Sequence, residues 1–308
     1  MGRIGVDVYP LQVGASLREV STFGKYLGGS ATNVAVAAAR HGRRSAVISR
    51  TGADPFGEFL HDALRGFGVD DRYLRPVPGL PTPVTFCEIF PPDDFPIYFY
   101  RWPKAPDLEI SPEELDLDAI RSAGVFWVTA TGLSQEPSRS ATLAALEARG
   151  RDAMTVLDLD YRPMFWDSRE QAHAAVQEAL PLVTVAVGNL DECETAVGSR
   201  DPGKAAQLLH DAGAELAVVK QGPAGVLASR ADVQVEVPPV PVETLNGLGA
   251  GDAFGGALCH SLLSGWDLER SMRFCNAAGA IVASRLACSD AMPTSVEVDD
   301  LMKAAFDA

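Results

Sequence analysis

Asn246-Gly247-Leu248-Gly249-Ala250-Gly251-Asp252-Ala253-Phe254 is the stretch on which the reading of this chain turns. Phe254, Ala257, Leu258, Ser261 and Leu262 recur at helical spacing, which predicts a helix starting at or near Asp252. Gly249, Ala250 and Gly251 then form a flexible turn at its N-terminus. Backbone N–H groups there, with the positive end of the helix dipole, make a hole for an anion such as a phosphoryl group in transit. The same field favours an ionised Asp252, and a carboxylate beside a phosphate cradle can take the proton of an attacking hydroxyl. Read alone, the stretch fits equally a glycine turn in which Asp252 only caps a helix. A dinucleotide fingerprint fits worse, because the third glycine of G-x-G-x-x-G would fall on Asp252. No G-x-x-x-x-G-K-[ST] loop occurs anywhere in the chain.

Near the other end stands Leu27-Gly28-Gly29-Ser30-Ala31-Thr32-Asn33, followed by an alanine-rich run to Gly42. Two glycines let the backbone approach a ligand closely. The alanines predict a thin helix packed tightly on a sheet, and Asn33 in its first turn offers both a donor and an acceptor to a hydroxylated substrate. A turn and a packed helix without a ligand is the alternative. Between these stretches the chain alternates strand-like and helix-like segments. Apolar runs at 125–128, 155–157, 183–187 and 216–219 are separated by helical patterns around 138–149, 171–180 and 205–211. Continuous runs rather than alternation indicate strands buried on both faces, hence a parallel sheet under helices. The N-terminal part adds Ala46-Val47-Ile48 between helix-like segments 31–41 and 56–66, and a doubly wound α/β sheet is the natural architecture. Segments 82–90 and 96–102, joined by Pro91-Pro92-Asp93-Asp94, have no helix between them and predict an antiparallel pair. With residues 10–26 they predict a small β lid (roughly 10–26 and 80–105) on one domain spanning 1–308, whose exposed aromatics would cover a substrate or meet a second copy.

The 308 residues are 47% hydrophobic and 22% charged, an ordinary globular composition, with a formal net charge of −15. So acidic a surface repels phosphate backbones and anionic lipid, and no nucleic-acid or membrane-surface partner is expected. The five cysteines (Cys87, Cys193, Cys259, Cys275, Cys288) are scattered and never in C-x-x-C spacing. They read as small buried apolar residues in a reducing, cytoplasmic setting rather than as disulfides or a zinc site. The histidines form no metal pair, and His41 before Gly42 reads as a helix C-terminal residue. No apolar run is long enough to span a bilayer, and the first residues lack the apolar core of a signal peptide.

The two glycine-rich stretches resemble the N-terminal G-G-x-x-x-N helix and the C-terminal G-A-G-D of the PfkB (ribokinase-like) carbohydrate kinase family, and the resemblance covers essentially the whole chain. It implies a ribokinase-like doubly wound, mostly parallel sheet flanked by helices, ATP and magnesium as cofactors, and a homodimer. It implies that Asp252 activates the acceptor hydroxyl while Gly249, Ala250 and Gly251 stabilise the transferring group. Asp7, Gly28, Gly29 and Asn33 match acceptor-binding positions. Asn189-Leu-Asp-Glu192 resembles the family's N-x-x-E motif, with Glu192 holding magnesium through water; Asn189 is equally a helix cap. Lys220-Gln-Gly222-Pro-Ala-Gly225 resembles the nucleotide loop, and Asn276 matches a position near adenine. Asp158-Leu-Asp-Tyr-Arg162-Pro-Met-Phe-Trp166 and Phe99-Tyr-Arg101 resemble segments of the family's keto-deoxy-aldonate kinases, which implies that Arg101 and Arg162 grip a substrate carboxylate. A planar guanidinium suits that task. The chain departs from the family at Asn246-Gly247-Leu248, where relatives have D-T-T. The aspartate that helps hold a monovalent cation is missing, so a potassium requirement is not expected. A non-catalytic sugar- or nucleotide-binding regulator on the same fold, a kinase for another sugar, and a dehydrogenase are the competing readings.

Overall fold

Asp7 and Tyr9 fall on one face of β1 (Gly5–Pro10), because strand side chains alternate. The structure, a computed structural model, describes residues 1–306. After β1 the chain turns back into β2 (Phe23–Gly28), paired antiparallel so that Asp7 lies opposite Tyr26. Then come α1 (Ser30–Arg40), β3 (Ser49–Gly52), α2 (Pro55–Gly66) and β4 (Leu74–Val77). β5 (Val84–Cys87) runs parallel to β1, and β6 (Ile97–Tyr100) returns antiparallel on β5, as the two strand-like segments predict. A four-stranded sheet in the order β2-β1-β5-β6 results. One strand sits later than expected: Ala46 makes only an isolated bridge to Asp70, and β3 begins at Ser49. Its Ser-Arg-Thr sequence hides it from an apolar-run criterion, since the buried Arg50 guanidinium donates to the carbonyls of Ser49 and Tyr73.

Met1 and Leu108–Pro239 form one compact unit, here the mid-chain unit; Gly2–Asp107 and the chain from Val240 onward form the other, two-segment unit. The mid-chain unit contains α3 (Leu117–Ser122), β7 (Val125–Thr129), α4 (Ser138–Arg149), β8 (Met154–Asp158) and α5 (Arg169–Ala179). β9 (Val185–Asn189), α6 (Leu190–Val197), α7 (Pro202–Asp211) and β10 (Leu216–Lys220) follow, then β11 (Val226–Arg230) and β12 (Val233–Val237). Its sheet has the order β12-β11-β10-β9-β8-β7, with β7 to β10 parallel and almost wholly buried, which is the mostly parallel sheet flanked by helices that the sequence predicts. Parallel strands share one C-terminal edge, here carrying Thr129, Asp158, Asn189 and Lys220, where open α/β sheets bind ligands. The antiparallel pair β11 and β12 carries no glycine or asparagine hairpin signal; Ala231 takes the left-handed turn position at φ 49.

The two-segment unit resumes with α8 (Ala250–Ser264), α9 (Leu268–Ala283) and α10 (Ser295–Phe306). α8 starts two residues before Asp252, because Gly249 alone makes the turn, as a left-handed N-cap at φ 83. Ala250 and Gly251 are therefore helical, and Asp252 lies in the first turn. The alanine-rich α1 makes its closest approach to α8 rather than to the sheet. A Cβ on Gly256 would lie 2.2 Å from the Ala37 Cβ and 2.8 Å from the Ala38 nitrogen, so only paired small residues permit the crossing. All five cysteines are buried, the described residues hold no disulfide, and His41 is the C-cap of α1.

Candidate active site

The α1–α8 crossing brings the two signature stretches into contact. Asn33 Nδ2 donates to Asp252 Oδ2 at 2.8 Å across 219 residues of sequence. Asn33 is 3% exposed, and its Oδ1 accepts from no group among the described residues. A buried acceptor without a donor is costly, and a ligand hydroxyl would satisfy it. Asp252 shares its turn with the Ala250 and Gly251 amides, which have no carbonyl a turn earlier to bond. Gly28 lies directly over Asp7: a Cβ there would come within 2.1 Å of Asp7 Oδ1. Gly29, the N-cap of α1 at φ 103, is held to glycine by both conformation and space, with Arg3 O 2.5 Å from a built Cβ.

Burial raises the Asp7 carboxyl from 3.8 to about 6, the Asp252 charge adding to the rise, while the Tyr9 hydroxyl, Arg3 and Thr85 oppose it. Tyr9 Oη donates to Asp7 Oδ2 at 3.0 Å and also touches Cys288 Sγ. That thiol lies against the glycine turn before α8, since a Cβ on Gly249 would fall 2.5 Å from it. Tyr9, Cys87, Ile89, Ala287 and Cys288 form an apolar floor with Phe95, Tyr26, Leu248 and Leu286 packed against it. Asn246, fully buried, donates from Nδ2 to the Leu286 carbonyl and accepts from the Leu248 amide, so its neutral amide fixes the turn. Asn276 lies on α9 one turn before Gly279, whose lack of a side chain lets α9 approach the Ala250 carbonyl. Arg101 forms a nearly buried pair with Asp107 at 2.7 Å.

The mid-chain unit gathers the nucleotide-loop residues. Asn189 ends β9, caps α6 and forms a capping box with Glu192: the Glu192 amide donates to Asn189 Oδ1 at 3.0 Å, and the Asn189 amide donates to Glu192 Oε2 at 2.6 Å. Lys220 ends β10 in register with Asn189 and places Nζ 4.0 Å from Glu192 Oε2. Arg162 lies 3.2 Å from Asp160 and 3.9 Å from Glu192. After Lys220 the chain makes a tight turn in which the Gln221 amide donates to the Gly225 carbonyl. Gly222 faces open space, whereas Gly225, at φ 94, packs on the Val237 and Pro238 backbone. A cationic strand end beside an open glycine turn suits a polyphosphate. Glu192, between two cations, suits a metal met through water better than a direct ligand. A depression of about 500 Å³ lined by Gln207, His210, Arg230 and Asp232 contains none of these residues.

The sequence matches the profile of the pfkB family carbohydrate kinases over residues 1–295. The chain belongs to that family. Among curated relatives of this kinase, the 5-dehydro-2-deoxygluconokinase of Geobacillus thermodenitrificans is 32% identical over 310 residues, 98% of this chain and 92% of that one. Among solved structures, the Vibrio cholerae fructokinase with fructose, ADP and calcium is 25% identical, with a TM-score of 0.84 over 98% of this chain and 97% of that one. An E. coli ribokinase II solved with ATP and Mg²⁺ has a TM-score of 0.88 at 23% identity over 98% and 97% of the two chains, so the fold of the kinase is ribokinase-like.

Three residues of the kinase escaped the sequence reading: Tyr9, Cys288 and Asp107. For Tyr9 the signal was present, since a residue two after Asp7 on a strand shares its face. Cys288 carries no local signal, and Asp107 is one of many acidic residues.

Proposed function

We propose that this kinase transfers the terminal phosphoryl group of ATP to the C6 hydroxyl of 5-dehydro-2-deoxy-D-gluconate, the substrate in the name of its 32%-identical relative and one belonging to inositol catabolism. The observation that carries the catalytic assignment is the 2.8 Å bond from Asn33 to Asp252 in the first turn of α8. In this reading Asp252 accepts the proton of the acceptor hydroxyl as that oxygen bonds to phosphorus, the phosphoanhydride bond breaks and ADP leaves. Ala250 and Gly251 amides at the N-terminus of α8, set by Gly249, receive the negative charge of the transferring group. Asp7, Gly28, Gly29 and Asn33 hold the acceptor, and Arg101 and Arg162 serve its carboxylate. Lys220, Gly222, Gly225, Asn189 and Asn276 serve the nucleotide. Magnesium on ATP neutralises phosphate charge, with Glu192 contributing through water. The β2-β1-β5-β6 sheet acts as a lid that excludes water from the acceptor. Tyr98, Tyr100 and Trp102, exposed on or after β6, pair two copies of a cytoplasmic enzyme; a sedimenting monomer would remove that part alone.

A neutral hexose is the second reading, favoured by one observation: Arg101 and Arg162 already have carboxylate partners in Asp107 and Asp160. The deciding measurement is ADP release with magnesium and ATP, comparing 5-dehydro-2-deoxygluconate, 2-keto-3-deoxygluconate, fructose and ribose. The expected result is a kcat/KM for the first about 10²-fold above any neutral sugar, the scale of one charged hydrogen-bonded contact. Preference for fructose establishes the second reading, and silence on all four reopens the reading of a non-catalytic sugar- or nucleotide-binding regulator.

A further inference from the structure

We propose that Tyr9 and Cys288 are positioning residues that hold Asp7 as a ligand for the acceptor and tie it to the turn at Gly249. The inference rests on the reading of Asp7 as an acceptor ligand. A tyrosine hydroxyl has one proton. That of Tyr9, a residue 2% exposed, is committed to Asp7 Oδ2 at 3.0 Å. Its oxygen is then left to accept, and the atom facing it is Cys288 Sγ. Burial raises the Cys288 thiol well above its ordinary range, so it keeps its proton and donates. The bonds therefore run one way while Asp7 is ionised: thiol to phenol, phenol to carboxylate. Each bond in such a chain polarises the next.

The far side of Cys288 fixes the second end. Its Sγ, Cβ and Cα all crowd the position of a Gly249 side chain, at 2.5, 2.9 and 3.2 Å. Gly249 is the left-handed N-cap that aims the first amides of α8. One thiol thus terminates the bond chain to Asp7 and forms the wall on which the anion-binding turn rests, although it stands 279 residues from Tyr9.

The groups around Asp7 settle the sign of its pH dependence. Arg3 and Tyr9 flank it in sequence, Thr85 and Cys87 face it from β5, Tyr26 lies opposite on β2, Asp252 comes from α8 and Cys288 from the segment after α9. Burial and Asp252 favour the neutral acid; Tyr9, Arg3 and Thr85 favour the ion. Acceptor binding through an ionised Asp7 is lost as pH falls through about 6. Removing the Tyr9 hydroxyl deletes a bond made to the ion, so that loss moves to higher pH.

The test is the pH dependence of the acceptor dissociation constant by calorimetry, with KM for ATP as a second readout. It compares wild type with Asp7→Asn, Tyr9→Phe, Cys288→Ala and Cys288→Ser. In Tyr9→Phe the acid loss of binding moves up by about one pH unit and neutral-pH affinity falls about tenfold, the scale of one hydrogen bond to an ion. KM for ATP stays unchanged. Cys288→Ala moves the loss the same way by less, and Cys288→Ser restores it because a hydroxyl also donates. A purely structural role would lower affinity equally at every pH. If Asp7→Asn keeps wild-type affinity and pH dependence, the reading of Asp7 fails and the inference with it. If Asp7→Asn abolishes the pH dependence but Tyr9→Phe and Cys288→Ala leave it in place, the inference alone is overturned. Should Tyr9→Phe not fold, the Cys288 pair decides.

Discussion

The two halves of the candidate chemistry are built on opposite principles. At the α1–α8 crossing of the two-segment unit, polar groups are buried at a cost. Asp7 is held near pKa 6 by burial and the Asp252 charge, and the Asn33 Oδ1 accepts from no group among the described residues. Glycines 28 and 249 press directly on Asp7 and Cys288. At the end of β9 in the mid-chain unit, the groups around Glu192 have partners in advance: Asn189 and Glu192 close a capping box, and Lys220 and Arg162 both lie beside Glu192. At the α1–α8 crossing, a buried acceptor beside a carboxylate is a place that a hydroxylated ligand would complete. Satisfied backbone and caps mark where a common ligand is received on a preformed turn.

The strongest way to break this contrast is at Asp252. Replacement by Asn keeps the shape and the amide partner for Asn33 but removes the base. We expect kcat to fall by about 10³-fold, within the range for general bases, while the KM for ATP changes less than about twofold. Steady-state kinetics on a variant of unchanged circular dichroism checks this. Near-normal turnover would reduce Asp252 to the helix cap that its sequence alone equally allows.

Asp7 sharpens the contrast through stability. Its folded pKa is raised from 3.8 to about 6, so the native state binds the proton more tightly than the unfolded chain. Wild type therefore has this stabilisation below pH 3.8 and loses it as pH rises through about 6. The loss is about 3 kcal/mol at 1.36 kcal/mol per pH unit. Asp7→Asn does not titrate. The variant should gain on wild type between those pH values and be the more stable protein at pH 8, though it loses acceptor affinity. Urea unfolding at pH 4 and pH 8 measures the change, and an equal stability difference at both would show that Asp7 is not strained.

Much of this was legible in the sequence because it is local. G-A-G-D and G-G-x-x-x-N each put a polar residue, Asp252 and Asn33, in a helix's first turn, and the strands of the mid-chain sheet announce themselves as apolar runs. What escaped was either long-range or polar. The thiol–phenol contact joins positions 9 and 288, which no window spans. β3 hides behind a buried arginine satisfied by carbonyls, and β11 and β12 turn through Ala231 without glycine. Helix α8 starts earlier than its apolar pattern, because Ala250 and Gly251 have no side chain large enough to register in one.

The smallest effects belong to the mid-chain unit, where satisfaction predicts redundancy. Glu192→Gln keeps a side-chain oxygen for the Asn189 amide, so the capping box survives. Its contacts to Arg162 and Lys220, at 3.9 and 4.0 Å, are too long to carry much. Thermal stability should therefore fall by less than about 1 kcal/mol, whereas Asn189→Ala, which removes the cap, should cost about 1 kcal/mol. If Glu192 also holds magnesium through water, Glu192→Gln raises the magnesium concentration for half-maximal activity several-fold while acceptor KM stays fixed. A variant with unchanged magnesium dependence would leave Glu192 as a capping residue only, and the mid-chain unit would then receive ATP through Lys220 and its glycine turn. A large loss of stability would instead show that this side, too, depends on a buried charge, and the division drawn here would not hold.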